Sequence, residues 1–556
     1  MNKNNFFLLP LVFSFFAFFV TLYVCTEDNI YYWDYAGYYN LFLNFGELCQ
    51  KNFSEFVHCV IVSIQNDDYN VSSVLLPISF YSFFGGNRIS FIFSLFFFYL
   101  MPLSYIIYYL TSKLSSDADA FVSIFFTLFY SPFLCMLFVG YTDLSCIALL
   151  CAASYIVVKN KNENIQIRWM LFVGFLLFLC FMFRRGYAYC LISFYATLLL
   201  YNIIFYRYKF KKFVFGFAVA SLTTLVCIIV FQFPLVVRII HTNYTYQYSA
   251  WSQGSWVKNI FSAYDNLPPS LWVIFIFSIF FLLYKKQKEV VFFVLFIILY
   301  SSIYSMMMNL WGHHFTPIGF CVLVVILFAI HVLISNLKFN NSYVNVSFRL
   351  VIFGILAFVF MYNYRYTFYE GNGNHFFVQN VKCYRLRHQN IKELTRLKYD
   401  IDNLPDINKK KIAVFASNVV LNDAMLKTFG VPAQYFIEAH QIDRRDGIPI
   451  RPLFTGYVVV TRPTQLHADP NLQYVIRVPN EMILGGFGVG AAYSLYSGPY
   501  KLARDVDAFI YTKNRAFTEK EVKQYFDSFP SDAIHWNGAI TDSQKKQLSS
   551  DCLIFN

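Results

Sequence analysis

Charge is what this sequence has least of: 14% of its 556 residues are Asp, Glu, Lys or Arg, against about 25% in ordinary soluble proteins. So apolar a chain is neither intrinsically disordered nor a collagen-like fibre. Twelve cysteines in a chain of this length exclude a small disulfide scaffold, and there is no CxxC pair and no His/Cys cluster at zinc spacing. No internal repeat supports an inverted-repeat transporter. The run Gly485-Gly486-Phe487-Gly488-Val489-Gly490 lacks the Lys-Ser/Thr that completes a phosphate loop, and reads as a flexible turn or close-packed loop. What fills the chain instead is apolar and ring-rich: 57% hydrophobic residues, with 67 Phe and 43 Tyr.

The few charges are unevenly spread. Residues 1–363 hold 20 Lys/Arg and 13 Asp/Glu, whereas residues 364–556 hold 24 and 19. The first region is therefore expected to be a polytopic α-helical membrane domain, and residues 364–556 a water-soluble domain. The net charge of +12 is accordingly no nucleic-acid footprint, and no nucleic-acid partner is expected.

Eleven apolar runs are candidate transmembrane helices: 6–25, 89–110, 120–139, 144–158, 169–183, 187–206, 213–233, 271–284, 290–308, 315–335 and 350–362. With the N-terminus in the cytoplasm, inside segments carry 14 Lys/Arg and outside loops 6, as the positive-inside bias requires. The odd number of spans puts residues 364–556 outside. This predicts a multi-pass inner-membrane protein, N-terminus cytoplasmic and C-terminal domain periplasmic. The first run has no small-x-small cleavage site after it and reads as an uncleaved anchor. Val71 to Phe84 is too short to span comfortably and reads as interfacial or re-entrant.

In the outside domain, Ile391, Leu394, Leu397, Ile401 and Leu404 recur at helical spacing. Short β-rich runs follow at 412–416, 457–461, 474–478 and 509–512, so the domain is expected to be mixed α/β. Cys383 and Cys552 are its cysteines and are candidates to pair.

Nine acids lie in outside loops of the membrane region, among them Glu27, Asp28, Asp34, Asp67, Asp68 and Asp143; inside segments hold Asp117, Asp119, Glu163 and Glu289. Charge beside hydrocarbon is costly and marks functional sites. Asp34 sits among rings, in Tyr31-Tyr32-Trp33-Asp34-Tyr35-Ala36-Gly37-Tyr38, placed to accept a proton from a hydroxyl nucleophile. Asp143 follows Gly140-Tyr141-Thr142 in a short connection and is a candidate both for the site and for capping the next helix. Arg184-Arg185 lies outside, against the charge bias; it fits a phosphate at the outer leaflet, or snorkelling to lipid headgroups, or pairing with Asp143. His313-His314 stands at another outer span end. Trp33, Tyr38, Tyr141, Asp67 and Asp68 complete the candidates for substrate binding.

At these residues the chain resembles the GT-C superfamily of integral-membrane glycosyltransferases, which includes protein mannosyltransferases and lipid A aminoarabinose transferases. The match rests on Asp34-Tyr35-Ala36-Gly37-Tyr38, Asn70 to Gly86, Tyr141-Thr142-Asp143, Arg184-Arg185-Gly186 and His313-His314-Phe315-Thr316-Pro317. The family often has two adjacent acids in the first loop; here Tyr35 follows Asp34, and Glu27-Asp28 upstream are the alternative. The resemblance implies a polyprenyl-phosphate-linked sugar donor and an acceptor hydroxyl on a glycan or lipid-linked glycan, such as O-antigen, with membrane lipid around the site. It implies Asp34 as base and Arg184 and Arg185 on the leaving phosphate. Asp143 would orient the acceptor or a basic partner, or help hold a divalent cation, and His313 or His314 would assist donor binding. An O-antigen-type polymerase and a flippase of lipid-linked sugars are the competing readings.

Overall fold

The structure is a computed structural model, and it describes residues 8–28, 30–115, 119–159, 166–206, 210–336, 342–369, 371 and 373–536. Asp117, Glu163 and Cys552, named above, lie outside the described residues. The chain divides into two compact units. The first comprises Met1–Thr26, Tyr38–Thr242 and Gln253–Arg385; the second comprises Glu27–Gly37, Asn243–Ser252 and Leu386–Asn556. By contacts, then, the second unit begins at Leu386 and takes in two short outer segments from the apolar half of the chain.

The first unit is helical, and every one of the eleven apolar runs falls on a helix. Fewer than eleven are long enough to cross a bilayer unaided. Among the described residues, five helices meet the requirement by length and composition (Arg88–Leu114, Arg185–Phe205, Phe213–His241, Gly312–Asn336 and Leu350–Phe368), or up to seven if two bent pairs each count as one span. The remaining four are apolar but stop short of the ~20 residues that a full crossing needs. The bent pairs break at prolines. Ala120–Leu128 and Ser131–Val139 meet at 51° beside Pro132, and Trp256–Asn266 and Pro269–Tyr284 meet at 101° at Pro268-Pro269. A proline cannot donate to the preceding turn and so starts a new helix more readily than it continues one. Val71–Val74 and Leu75–Phe84 form a short apolar helical stretch, in keeping with an interfacial reading.

Two close contacts fix the unit. A Cβ on Gly174 would lie 2.3 Å from the backbone oxygen of Ala220, so only glycine lets Ile167–Phe183 approach the long helix Phe210–His241. The Thr224 hydroxyl donates to the Gly174 oxygen at 2.8 Å across the same contact. Cys383 is disulfide-bonded to Cys135, 248 residues earlier in the chain, which corrects the expected pairing with Cys552. Sequence order hides such a pair because only the fold brings the two stretches together.

The second unit contains a four-stranded sheet in the order β1-β2-β4-β3, with β1 Ile412–Val414, β2 Tyr457–Arg462, β3 Tyr493–Ala503 and β4 Val506–Lys513. β1 runs parallel to β2, and the other pairings are antiparallel. Three expected strands are present, but the run 474–478 is the start of a helix, Tyr474–Gly485. Its buried residues Val475, Ile476, Pro479, Met482 and Ile483 recur at helical spacing, and that face packs in one core with Val458 and Val460 of β2. β3 escaped detection because Gly498-Pro499 interrupts it; it is an edge strand whose register shifts accommodate both residues. The glycine run is a close-packed loop: a Cβ on Gly490 would lie 1.8 Å from the Met482 oxygen.

Asp443 starts the single turn Asp443–Asp446 and accepts the Val475 N–H at 3.0 Å, holding the N-terminus of that helix. Its other oxygen is enclosed and has no hydrogen-bond partner among the described residues. Burial, outweighing the backbone hydrogen bonds, pushes its carboxyl up to about 6. The folded unit therefore retains a proton that the unfolded chain, with an ordinary value of about 3.9, gives up. Stability from this group is full at low pH and is lost as pH rises from about 4 to about 6. Asp443→Asn should flatten that part of the melting-temperature profile between pH 4 and 7.

Candidate functional site

Arg184 and Arg185 follow each other in sequence yet serve different partners. The helix Ile167–Phe183 ends at Arg184, whose backbone is extended, and Arg185–Tyr187 form a short turn before Ala188–Phe205. The break in helical geometry points the two guanidinium groups apart. Arg184 ion-pairs with Asp143, the first residue of the helix Asp143–Lys159, and the pair is almost wholly buried. The Tyr187 hydroxyl lies 3.3 Å from the second Asp143 oxygen. The Arg184 guanidinium also stands over the rings of Tyr38 and Tyr141, 5.8 and 5.5 Å from their centroids. A carboxylate at a helix N-terminus is favoured by the helix dipole, so Asp143 combines a terminal position with a partner for Arg184.

Arg185 is a little less enclosed, 16% exposed against 9% for Arg184, and pairs with Asp68. The same carboxylate is also reached by Arg238, at 2.7 Å. Arg238 arrives there because the helix Phe210–His241 kinks at Gln232 (φ −137°, ψ 28°), two residues before Pro234, where the proline ring clashes with the preceding turn. Gln232 is buried, with its amide donating to the Ile64 oxygen at 3.3 Å, and Arg238 donates to the Asn66 oxygen at 2.7 Å. Tyr69 lies under the Arg185 guanidinium at 5.7 Å and against Tyr38 at 6.1 Å. Asp67 is exposed and closes the helix Phe53–Asn66, its N–H donating to the Ser63 oxygen at 2.9 Å.

Trp311 to Phe315 adds the histidines. The rings of His313 and His314 are 3.7 Å apart, His313 stacks near Tyr141 at 4.5 Å, and the Nδ1 of His314 is 2.6 Å from the Tyr304 hydroxyl. The Tyr300 hydroxyl donates to the His314 oxygen at 3.0 Å. His314 is thus tied into its surroundings, whereas the Nε2 of His313 is buried with no partner among the described residues. The structure brings Tyr38, Tyr141, Asp143, Arg184 and His313 into one cluster. Asp68, Tyr69, Arg185 and Arg238 form a second, joined to the first through the Tyr38–Tyr69 contact.

Asp34 and Trp33 belong to the second unit. They are not in a loop but open the helix Trp33–Lys51, and Trp33 has a left-handed backbone (φ 53°) that a bulky side chain rarely adopts. The upstream alternatives have other duties. Glu27 accepts the Leu386 N–H at 2.7 Å and Asp28 the His388 N–H at 2.6 Å, pinning this segment to the rest of its unit.

The donor set does not fit a divalent cation: Asp143 faces Arg184 and Tyr187, and among the described residues no group of three or more His, Cys, Asp or Glu converges. Arg238, Tyr69 and Tyr304 were not singled out from sequence. Arg238 had a visible signal, a basic residue outside the membrane against the charge bias, but its partner depends on the Pro234 kink.

No family model matches the chain, and no curated protein matches it. Among solved structures, it is similar to ArnT from Cupriavidus metallidurans in the apo state, with 11% identity and a TM-score of 0.47, over 90% of this chain and 97% of that one.

Removing one member of a buried ion pair strands the other and costs about 3–5 kcal/mol. Asp143→Asn and Arg184→Ala should each lower the unfolding temperature in detergent markedly, and the double variant by less than the sum. Arg185→Ala should shift it less, because its partner Asp68 is 35% exposed and keeps Arg238 as a second partner.

Proposed function

We propose that this protein is a glycosyltransferase of the GT-C type. It moves a sugar from a polyprenyl-phosphate-linked donor to an acceptor hydroxyl on a surface or lipid-linked glycan, at the outer face of the inner membrane. The observation that carries this reading is the sharing of one carboxylate, Asp68, by two partly exposed arginines, Arg185 and Arg238, in a unit built from apolar helices. Two guanidinium groups gathered at one carboxylate offer the forked N–H donors that suit a phosphate at the lipid boundary. Arg184 is the poorer candidate for that task, since releasing it from Asp143 would strand a buried acid. The Cys135–Cys383 disulfide supports an oxidising compartment on that side of the membrane, as the periplasm provides.

In the proposed transfer, the acceptor oxygen attacks the anomeric carbon and its proton passes to Asp34. The bond from that carbon to the phosphate oxygen breaks, and polyprenyl phosphate leaves with the bonding electrons. Asp34 is kept as the base on its place in the ring-dense segment Tyr31 to Tyr38, while Glu27 and Asp28 accept the Leu386 and His388 N–H groups. Arg185 and Arg238 meet the charge that grows on the leaving phosphate, and the unpartnered Nε2 of His313 is available to a donor oxygen. Trp33, Tyr38 and Tyr141 offer ring faces to sugars, and Asp67 is kept as a polar contact for acceptor hydroxyls.

Transfer of radiolabelled sugar from polyprenyl-phosphate hexoses in membranes expressing the chain tests this. Asp34→Asn should lower the rate by about 10²-fold or more, the scale of a lost general base. Arg185→Ala and Arg238→Ala should each lower it by about 10²-fold, with the protein still folded. Transfer that survives both arginine substitutions unchanged would sink the phosphate assignment.

A further inference from the structure

The second unit carries a feature of which the proposed transfer uses one member, Trp33, and leaves the rest unassigned. Three stretches far apart in sequence place a row of half-exposed rings side by side. Tyr244 stacks on Tyr248 (centroids 5.9 Å, planes 28° apart), and Tyr248 leans on Trp251 (5.4 Å, 41°). Trp251 faces His467 (6.4 Å, 31°), and His467 faces Trp33 (5.3 Å, 50°). All five belong to the same unit. The Arg445 guanidinium lies 5.3 Å over Trp251.

Every step in the row is 5–7 Å, comparable to the length of one pyranose unit, and no step has perpendicular planes. We infer that this row is a binding track for an uncharged glycan chain several sugars long, holding the polymeric part of the acceptor. The inference rests on the glycosyltransferase reading and names its acceptor class.

Three observations favour a neutral glycan over other polymers that stack on rings. Single-stranded nucleic acids need a cationic groove beside the rings. Here the neighbouring cations are matched: Arg445 pairs with Asp446 at 2.6 Å, and Arg444 has Asp532 at 3.8 Å. His467 contributes a neutral ring, since burial lowers it to about 4, and its Nδ1–H donates to the Ser417 oxygen at 2.9 Å. The rings stay partly exposed rather than closing into a core, and Trp33 holds its place with a strained backbone. Strain of that kind persists where the surroundings over-determine it, which is common at ligand sites. Apolar sugar faces stack on ring faces, while hydroxyls at the sugar edges reach the flanking arginines and carboxylates.

The test is equilibrium binding of the purified full chain, without donor, to neutral oligosaccharides of two to seven units: malto-, cello-, manno- and chito-series. A heparin-derived hexamer is the anionic control. At least one neutral series should bind with affinity that rises with chain length. Trp251→Ala and Tyr248→Ala should each weaken the longest member about tenfold, with little effect on the shortest, and Trp251→Phe should retain most of the affinity. The same melting temperature in all three variants separates lost contact from lost fold. Failure of every neutral series to bind, affinity independent of length, native affinity in Trp251→Ala, or tighter binding of the heparin hexamer would each overturn the track. Because the binding is measured without donor, length-dependent binding together with no transfer from any polyprenyl-phosphate hexose in the separate transfer assay would keep the track and sink the enzyme reading. Transfer to a monosaccharide glycoside without length-dependent binding would do the reverse.

Discussion

A charge at the end of an apolar helix must find an opposite charge or return to water, and much of the first unit follows from how its arginines meet that requirement. Arg184 lies where a helix of uniformly apolar side chains stops, and Asp143 lies where another begins. Pairing them fixes the two helix ends against each other. It also sets the rings of Tyr38 and Tyr141 against the guanidinium, and Tyr141 in turn carries His313. The cost of burying two charges is offset only when the geometry is good and the remaining oxygen is bonded. The Tyr187 hydroxyl beside the second Asp143 oxygen supplies that bond. The pair is therefore a scaffold for the cluster, and a residue spent in this way is poorly placed to let go and bind a ligand.

The second unit depends on a different device, backbone hydrogen bonding to acids and hydroxyls. Glu27 and Asp28 each take an N–H from the stretch 386–388, and Thr428 both accepts from the Tyr31 N–H (2.9 Å) and donates to the Tyr31 oxygen (3.0 Å). These bonds fasten an eleven-residue segment from the apolar half of the chain to a sheet domain that starts more than 350 residues later. Within that segment Tyr31 and Tyr35 are buried while Trp33, at the start of its helix, stays partly exposed at the end of the row that begins at Tyr244.

How much of this could be read from sequence follows from whether each feature is local. Hydrophobic runs are local, and all eleven coincide with helices; their full length is not, because Pro132 breaks one, Pro268-Pro269 sets a sharp bend just before another, and four others are too short. The Asp143–Arg184 partnership was legible as two opposite charges expected on the same face. The Arg238–Asp68 contact was not, since it needs the bend near Pro234, whose direction no local pattern specifies. In the second unit, β1, β2 and β4 are short branched or aromatic runs and were recognisable. The run 474–478 has the same local character and turned helical because its buried face continues to Met482 and Ile483 beyond the window. The Cys135–Cys383 bridge and the Trp33–His467 contact join stretches hundreds of residues apart and leave no mark in the sequence at all.

The contrast between the two adjacent arginines has a consequence for the proposed chemistry. A cation fully matched in the resting protein contributes equally to ground and transition states, and so lowers no barrier. Arg184 is in that position. Arg185 and Arg238 meet at one carboxylate on the less enclosed side, and in the proposed transfer a phosphate whose charge grows as the glycosidic bond breaks gains most from donors already gathered at that moment. Their partial exposure matters for the same reason. A lipid-linked headgroup has to reach them from the bilayer surface, and a site as enclosed as that of Arg184 would offer strong fields but no route in. The sequence Arg184-Arg185 thus sends two adjacent side chains to different partners by backbone geometry: the extended residue at the helix end reaches Asp143, and the next reaches Asp68 beside Arg238.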